Sequence, residues 1–271
     1  MDTKESEGLA MAAGGNLPAL PEVARLALSA GRMLLEWGAN ARVVHEGISN
    51  IARGLGCDSA EAFCQHAAII VMLRRGEDAC VQMGKVGEHG VNLRRTQSLQ
   101  DIIARVAGGE LSCAAAQAEV DAVPLKSAAY PVWFVCLSTG LACSAFGRLL
   151  GGEWTSFFPT LVGAASGQWL RHSLFHRRYN IFLTAGAVSF AAASLAGIGA
   201  KLSGSVNLPL AMLAAVLLLV PGVAVLNAQV DVIEGKPNLA ASRALRVVFI
   251  LLFMALGLAA AQSLVLSTLV P

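Results

Sequence analysis

The chain has 271 residues, 55% of them hydrophobic and only 14% charged, with a formal net charge of +2. A mean hydropathy of +0.61 excludes an ordinary soluble globular chain, in which about 25% of residues are charged, and no nucleic-acid partner is expected. Charge is also unevenly placed: residues 1–126 hold 12 Lys/Arg and 15 Asp/Glu, whereas residues 127–271 hold 8 and 3. A charged half joined to a nearly uncharged half predicts a soluble domain followed by a membrane domain.

Residues 1–20, opening MDTKESEG, read as a mobile tail without a secretory signal: the start is acidic, and the apolar patch after it is interrupted at Gly14-Gly15. Residues 21–125 read as a cytoplasmic α+β domain. In PEVARLALSAGRMLLEWG, Val23, Leu26, Ala27, Ala30, Leu34 and Trp37 recur at helical spacing, and Gly38 can stop the helix in a left-handed turn. In ARVVHEGISNIARGLG, Val44, Ile48, Ile51, Ala52 and Leu55 share a face, with Gly56 as the stop. The period then changes. SAEAFCQHAAIIVMLRRG and DACVQMGKVG predict two or three antiparallel strands turning at Gly76-Glu77, with Ile69 to Leu73 the most buried. A helix returns at SLQDIIARVAGG, with Leu99, Ile102, Ile103 and Val106 inward, and another follows a Ser112 cap. Pro124 and Lys126 form the short link to the membrane half.

This domain shows no phosphate-binding glycine loop, HExxH or nucleophile elbow. His45-Glu46 fits a solvated helix face. His89 and Asn92, in EHGVNL, leave two readings open: a polar turn, or a contact with substrate or with the membrane domain. The six cysteines form no CxxC pair and suit core packing. No metal and no cofactor is expected.

The second half contains uncharged runs at 127–147, 154–170, 179–200, 202–230 and 247–271. A spanning helix needs about 20 apolar residues, so the fold class expected is an α-helical membrane protein with five transmembrane helices, at about 128–147, 154–171, 180–200, 207–230 and 245–269. The second of these is the marginal one. Lys126, Arg171, Arg177, Arg178, Lys236, Arg243 and Arg246 flank one set of ends, and only Arg148 and Lys201 the other. That bias predicts an inner-membrane protein with its N-terminus in the cytoplasm and its C-terminus outside. His172 and His176, four apart among arginines, suit an interfacial anchor better than a cation site.

The fourth run, LLLVPGVAVLNAQVDVIEG, interrupts itself at Pro221-Gly222. Proline removes a backbone donor and clashes with the carbonyl four residues back. Freed carbonyls are costly in lipid unless something satisfies them. Two readings are open: a proline kink filled by a neighbouring serine, or a discontinuous helix whose exposed backbone binds a polar solute. Asn227 follows the break, and Asp231 and Glu234 lie one turn apart on one face, opposite Arg243 and Arg246 across the turn at Gly235-Lys236-Pro237. A boundary carboxylate is a functional candidate; a loop salt bridge is the plainer account, and it suits Glu234 better than Asp231.

PGVAVLNAQVDVIEG, followed by SRALR and a last apolar run, resembles the signature of the threonine/serine exporter family through Pro221, Gly222, Asn227, Ala228, Asp231, Gly235 and Arg243. GRMLLEWGANARVV, AAIIVML and GVNL resemble the family's cytoplasmic domain, and the resemblance covers about residues 24–265. Ala224 stands where the family usually has proline, and Gln229 and Val230 replace its more usual residues. The resemblance implies the N-terminal half of a transporter, as in split systems where a second, small membrane protein supplies the rest; self-association is the other way to complete an odd span count. It also implies substrates: threonine and serine for single-chain members, dicarboxylates such as succinate for split ones. The expectation is therefore one subunit of a proton-coupled exporter of small polar acids embedded in the bilayer. Pro221 and Gly222 would open the span, Asn227 would bind solute, Asp231 would couple protons, and Arg243 would pair with Asp231 or hold a carboxylate. The rival expectation is a membrane-anchored sensor or enzyme whose active part is the cytoplasmic domain.

Overall fold

The computed structural model describes residues 17–126 and 130–269, so most of the tail expected at 1–20, and the end of the link after Lys126, lie outside the described residues. Among the described residues the chain is mostly helical, with one small antiparallel sheet. It forms two compact units: Met1–Ala128 with Val223–Ala244, and Ala129–Gly222 with Leu245–Pro271. The stretch Val223–Ala244 follows the proline break and clusters with the N-terminal part of the chain.

In the first unit, α1 (Leu20–Glu36) starts with Pro21 in its first turn, where proline's missing N–H costs nothing. It buries Val23, Leu26, Ala27, Ala30 and Leu34, the face that the spacing predicts. Gly38 follows at φ +91°. α2 (Ala41–Gly54) is capped by Asn40, whose side chain accepts from the Val43 N–H at 3.0 Å. Val44, Ile48 and Ile51 pack inward. Strands β1 (Ser59–Cys64), β2 (Ala68–Arg75) and β3 (Asp78–Lys85) form a meander in which Phe63 pairs with Ile70 and Ile70 with Met83. Alternation sends Ile69, Val71 and Leu73 to the helices, while Phe63, Val81 and Met83 stay exposed on the other face. α3 (Leu93–Ala107), capped by Asn92, and α4 (Cys113–Lys126) complete the layer, with Leu99, Ile102, Ile103 and Val106 inward. Leu239, from the far end of the chain, is buried in this same core.

The second unit contains α5 (Val132–Leu149), α6 (Trp154–His176), α7 (Ile181–Leu202), α8 (Leu208–Val216) and the later turns of α10 (Pro237–Leu269); α9 (Gly222–Ile233) lies between α8 and α10 in the chain. Its core is lined by Ala164, Ala192, Ala193, Ala196, Ala215 and Ala261 around Met212. Small residues set the spacing: a Cβ on Gly163 would lie 2.6 Å from the Ala192 carbonyl oxygen. Among the described residues three helices, Val132–Leu149, Ile181–Leu202 and Pro237–Ser267, are long and apolar enough to cross a membrane. Leu208–Leu219 with Gly222–Ile233 makes a fourth if the broken pair is one span. α6, the expected marginal span, is not in this set; it carries Ser156, Thr160, Gln168, Arg171 and His172.

Candidate functional site

The fourth apolar segment is broken. α8 ends at Val216, one 3₁₀ turn runs Leu217–Leu219, and Val220 is extended at φ −63°, ψ 119°. The cause is local: Pro221 disfavours helical geometry in the residue before it and has no N–H to return to the Leu217 carbonyl. Val220 N–H donates to Leu217 at 3.1 Å and Gly222 N–H donates to Val220 at 2.9 Å. In an unbroken helix Gly222 would have served the Leu218 carbonyl. That carbonyl instead accepts from Arg171 Nη1 of α6 at 3.3 Å. The guanidinium is half-buried, and its carbon lies 5.5 Å from the centre of the Phe175 ring. The neighbour that fills the break is thus an arginine, not a serine.

Beyond the break, within the first unit, Asp231 is fully buried and both carboxylate oxygens are engaged. Oδ2 lies 2.5 Å from Arg243 Nη1, and Oδ1 accepts from the Ala41 N–H at 2.9 Å. Ala41 is the first residue of α2, whose N–H has no helical partner and whose helix dipole favours an anion. Arg243, 6% exposed, donates from Nη2 to the Ala39 carbonyl at 2.9 Å. Asn227 Nδ2 donates to the Gly38 carbonyl at 2.7 Å. Three side chains from the C-terminal half therefore fasten one four-residue connection, Gly38–Ala41. α9 stops at Ile233, and Gly235 supplies the left-handed turn at φ +69° that lets Lys236 N–H reach the Asp231 carbonyl at 2.8 Å. Glu234 is exposed and lies 3.6 Å from Arg42.

The family described as "Putative threonine/serine exporter" matches residues 25–265. The chain belongs to the threonine/serine exporter family. It is a membrane protein, and its family is one of transporters. It is similar to the "Probable succinate transporter subunit YjjP" of Escherichia coli (strain K12), 31% identical over 227 residues, which cover 82% of this chain and 86% of that one. It is also similar to the protein of the same name from Klebsiella aerogenes, 30% identical over 82% of this chain and 85% of that one. No solved structure matches.

In this exporter-family chain the loop residues His89 and Asn92 adjoin the same connection. Asn92 N–H donates to the Trp37 carbonyl at 3.1 Å, and Gly90 N–H donates to that of Glu36 at 2.8 Å. His89 stacks on His66 with ring centroids 4.3 Å apart. Asn227, Asp231, Arg243 and Asn92 thus converge on residues 37–41, while Pro221 and Gly222 lie at the break. Sequence reasoning missed the shared target, although WGANA falls inside a stretch already noted for its likeness to the family. It also missed Arg171, which reads from the sequence only as a boundary cation. Among the described residues no three His, Cys, Asp or Glu side chains gather as a metal site would require.

Two expected results arise here. Gly38 combines positive φ with a neighbour: a Cβ would lie 2.8 Å from the Gly90 carbonyl oxygen. Gly38→Ala is expected to cost about 1–2 kcal/mol from the left-handed backbone alone and to lower the thermal midpoint by a few degrees. An unchanged midpoint would show that the connection relaxes freely. Cys64, at the end of β1, is 8% exposed, and burial pushes its thiol up to about 11 against the pull of Lys236 and Arg243. At pH 8 roughly one thiol in a thousand is then ionised, and the thiolate is the reactive form. Maleimide should label Cys64 at least tenfold more slowly than half-exposed Cys80, as resolved by peptide mapping; equal rates would contradict this packing.

Proposed function

We propose that this chain is one subunit of an inner-membrane exporter of small polar acids, either threonine/serine-type amino acids or dicarboxylates such as succinate. Its five spans would place the N-terminus in the cytoplasm and the C-terminus outside, with α6 and the broken segment counted as spans. A second, small membrane protein would supply the other half of the pathway. The observation that carries this reading is the interrupted fourth segment: its freed carbonyl is held by a guanidinium, and its continuation, α9, ends in a buried carboxylate. Discontinuous helices of this kind serve transporters by offering backbone dipoles to hydrophilic cargo. The names of the similar proteins favour succinate.

The buried pair gives the coupling step. A proton on Asp231 would cancel the charge that holds Arg243, leaving a buried cation with a single carbonyl partner, an unfavourable state. Arg243 and Asn227 would then let go of Gly38–Ala41, and α9 would be free to move at the break. Proton arrival would thus be read as release of this connection. The test is efflux from cells preloaded with labelled succinate, serine or threonine, with this chain and a co-encoded small membrane protein deleted singly and together. Loss of efflux of one solute on either deletion is expected. Unaltered efflux of all three without this chain would end the proposal.

A further inference from the structure

We infer that Arg171, the guanidinium seated on the broken segment, is the receiving cation for a carboxylate of the transported solute. The inference rests on the exporter reading above and adds to it the chemical class bound and the residue that binds it.

Among the described residues of its own unit, Arg171 has no acidic side chain as a counter-ion. Residues 129–222 and 245–271 contain a single acidic side chain, that of Glu153. It sits at the other end of α6, 18 residues away, which is about 27 Å along a helix. That carboxylate is also occupied: Glu153 Oε2 accepts from Val206 N–H at 3.1 Å, Ser205 Oγ at 3.1 Å and Thr155 Oγ1 at 2.9 Å. In the first unit, Asp231 and Glu234 already face Arg243 and Arg42. Arg171 is thus a half-buried cation in an apolar unit with, among the described residues, no acidic side chain beside it. Such a charge is expensive in hydrocarbon unless a partner arrives.

The guanidinium is also under-committed. It has five N–H donors in a planar fork. Among the described residues one of them is used, to the Leu218 carbonyl at 3.3 Å, beyond the usual 2.9–3.0 Å. The fork matches the two oxygens of a carboxylate, which accept in parallel. Gly167, one turn before Arg171, lies against the broken segment: a Cβ there would sit in ordinary van der Waals contact with Leu218 Cδ2, at 3.5 Å. The break and the cation are therefore held together by packing as well as by the hydrogen bond. Amino acids and dicarboxylates share the carboxylate that Arg171 would take. The second acid or the ammonium would be read by other groups.

The full chain in lipid nanodiscs is titrated with succinate, L-serine and the uncharged diamide succinamide, following the thermal midpoint and heats of binding, with sulfate as the control for unspecific anion attraction. Saturable binding of succinate or serine, but not of the diamide or sulfate, is expected. Arg171→Gln should weaken it at least tenfold while the ligand-free midpoint stays within a few degrees. Should that variant fail to insert, Arg171→Lys decides: it keeps the charge but loses the fork, and a several-fold weaker affinity is expected. Wild-type affinity in Arg171→Gln, or in Arg171→Lys where that variant decides, would overturn the inference, as would absence of any carboxylate binding to the unaltered chain. Either result could coexist with efflux that depends on this chain, so the exporter reading would stand. Binding without chain-dependent efflux would sink the exporter reading instead.

Discussion

Asparagine in place of Asp231 is expected to reduce export by at least a hundredfold while the chain still inserts into the membrane. The substitution keeps size and shape but removes the charge that faces Arg243 at 2.5 Å. Breaking one side of a buried ion pair costs about 3–5 kcal/mol, because the remaining charge stays desolvated and unpaired. The Ala41 N–H would keep an acceptor only if the amide oxygen turned toward it, and the amide nitrogen would then point at Arg243. Gly38–Ala41 should therefore loosen, and Cys64, which lies in the electrostatic field of Asp231, Arg243 and Lys236, should become reactive to maleimide. The measurement pairs efflux of succinate, serine and threonine with Cys64 labelling. Full efflux in Asp231→Asn would remove this carboxylate from the mechanism. Lost efflux with Cys64 still protected would assign it to proton handling alone. A double change, Asp231→Asn with Arg243→Gln, should be less destabilising than the sum of the two single changes, as expected of groups in direct contact.

The second large effect concerns the break. Pro221→Ala restores a backbone donor and removes the clash with the Leu217 carbonyl, so the segment can wind through Val220 into α9. An interior proline costs a helix about 3 kcal/mol, and a stability gain of at least part of that is expected. Export should fall at least tenfold, because a healed ladder takes back the Leu218 carbonyl now held by Arg171. A variant that is more stable and less active separates mechanism from folding, since a merely structural proline would be neutral in export. The thermal midpoint and the efflux rate, taken on the same preparation, provide the comparison. An active Pro221→Ala chain would mean that the discontinuity is incidental.

Most of the first unit's helices and strands were legible because their signals are local. Val23 to Leu34 and Val44 to Leu55 follow a helical period, Ile69, Val71 and Leu73 follow a period of two, and Gly38 and Gly56 mark ends with the left-handed backbone that ends need. The interruption at Pro221 was legible for the same reason. Its partners were not. Nothing near Asp231 announces the Ala41 N–H, 190 positions away, and nothing near Leu218 announces Arg171, 47 positions away. Such contacts are set by packing, to which periodicity is blind. The clustering of Val223–Ala244 with the N-terminal part of the chain was hidden too, because residues 223–230 are apolar enough to read as the end of the fourth span.

Leu239 in the first unit's core, and Asp231 on the first turn of α2, have a consequence for biosynthesis. A ribosome makes residues 20–126 early, yet their hydrophobic interior lacks a plug and one helix lacks its anion until more than a hundred further residues have emerged. The opening layer of this protein is the last to be finished, so a nascent chain stalled before α10 should be protease-sensitive at its N-terminal end, and maturation there should wait on insertion of the helices that come between.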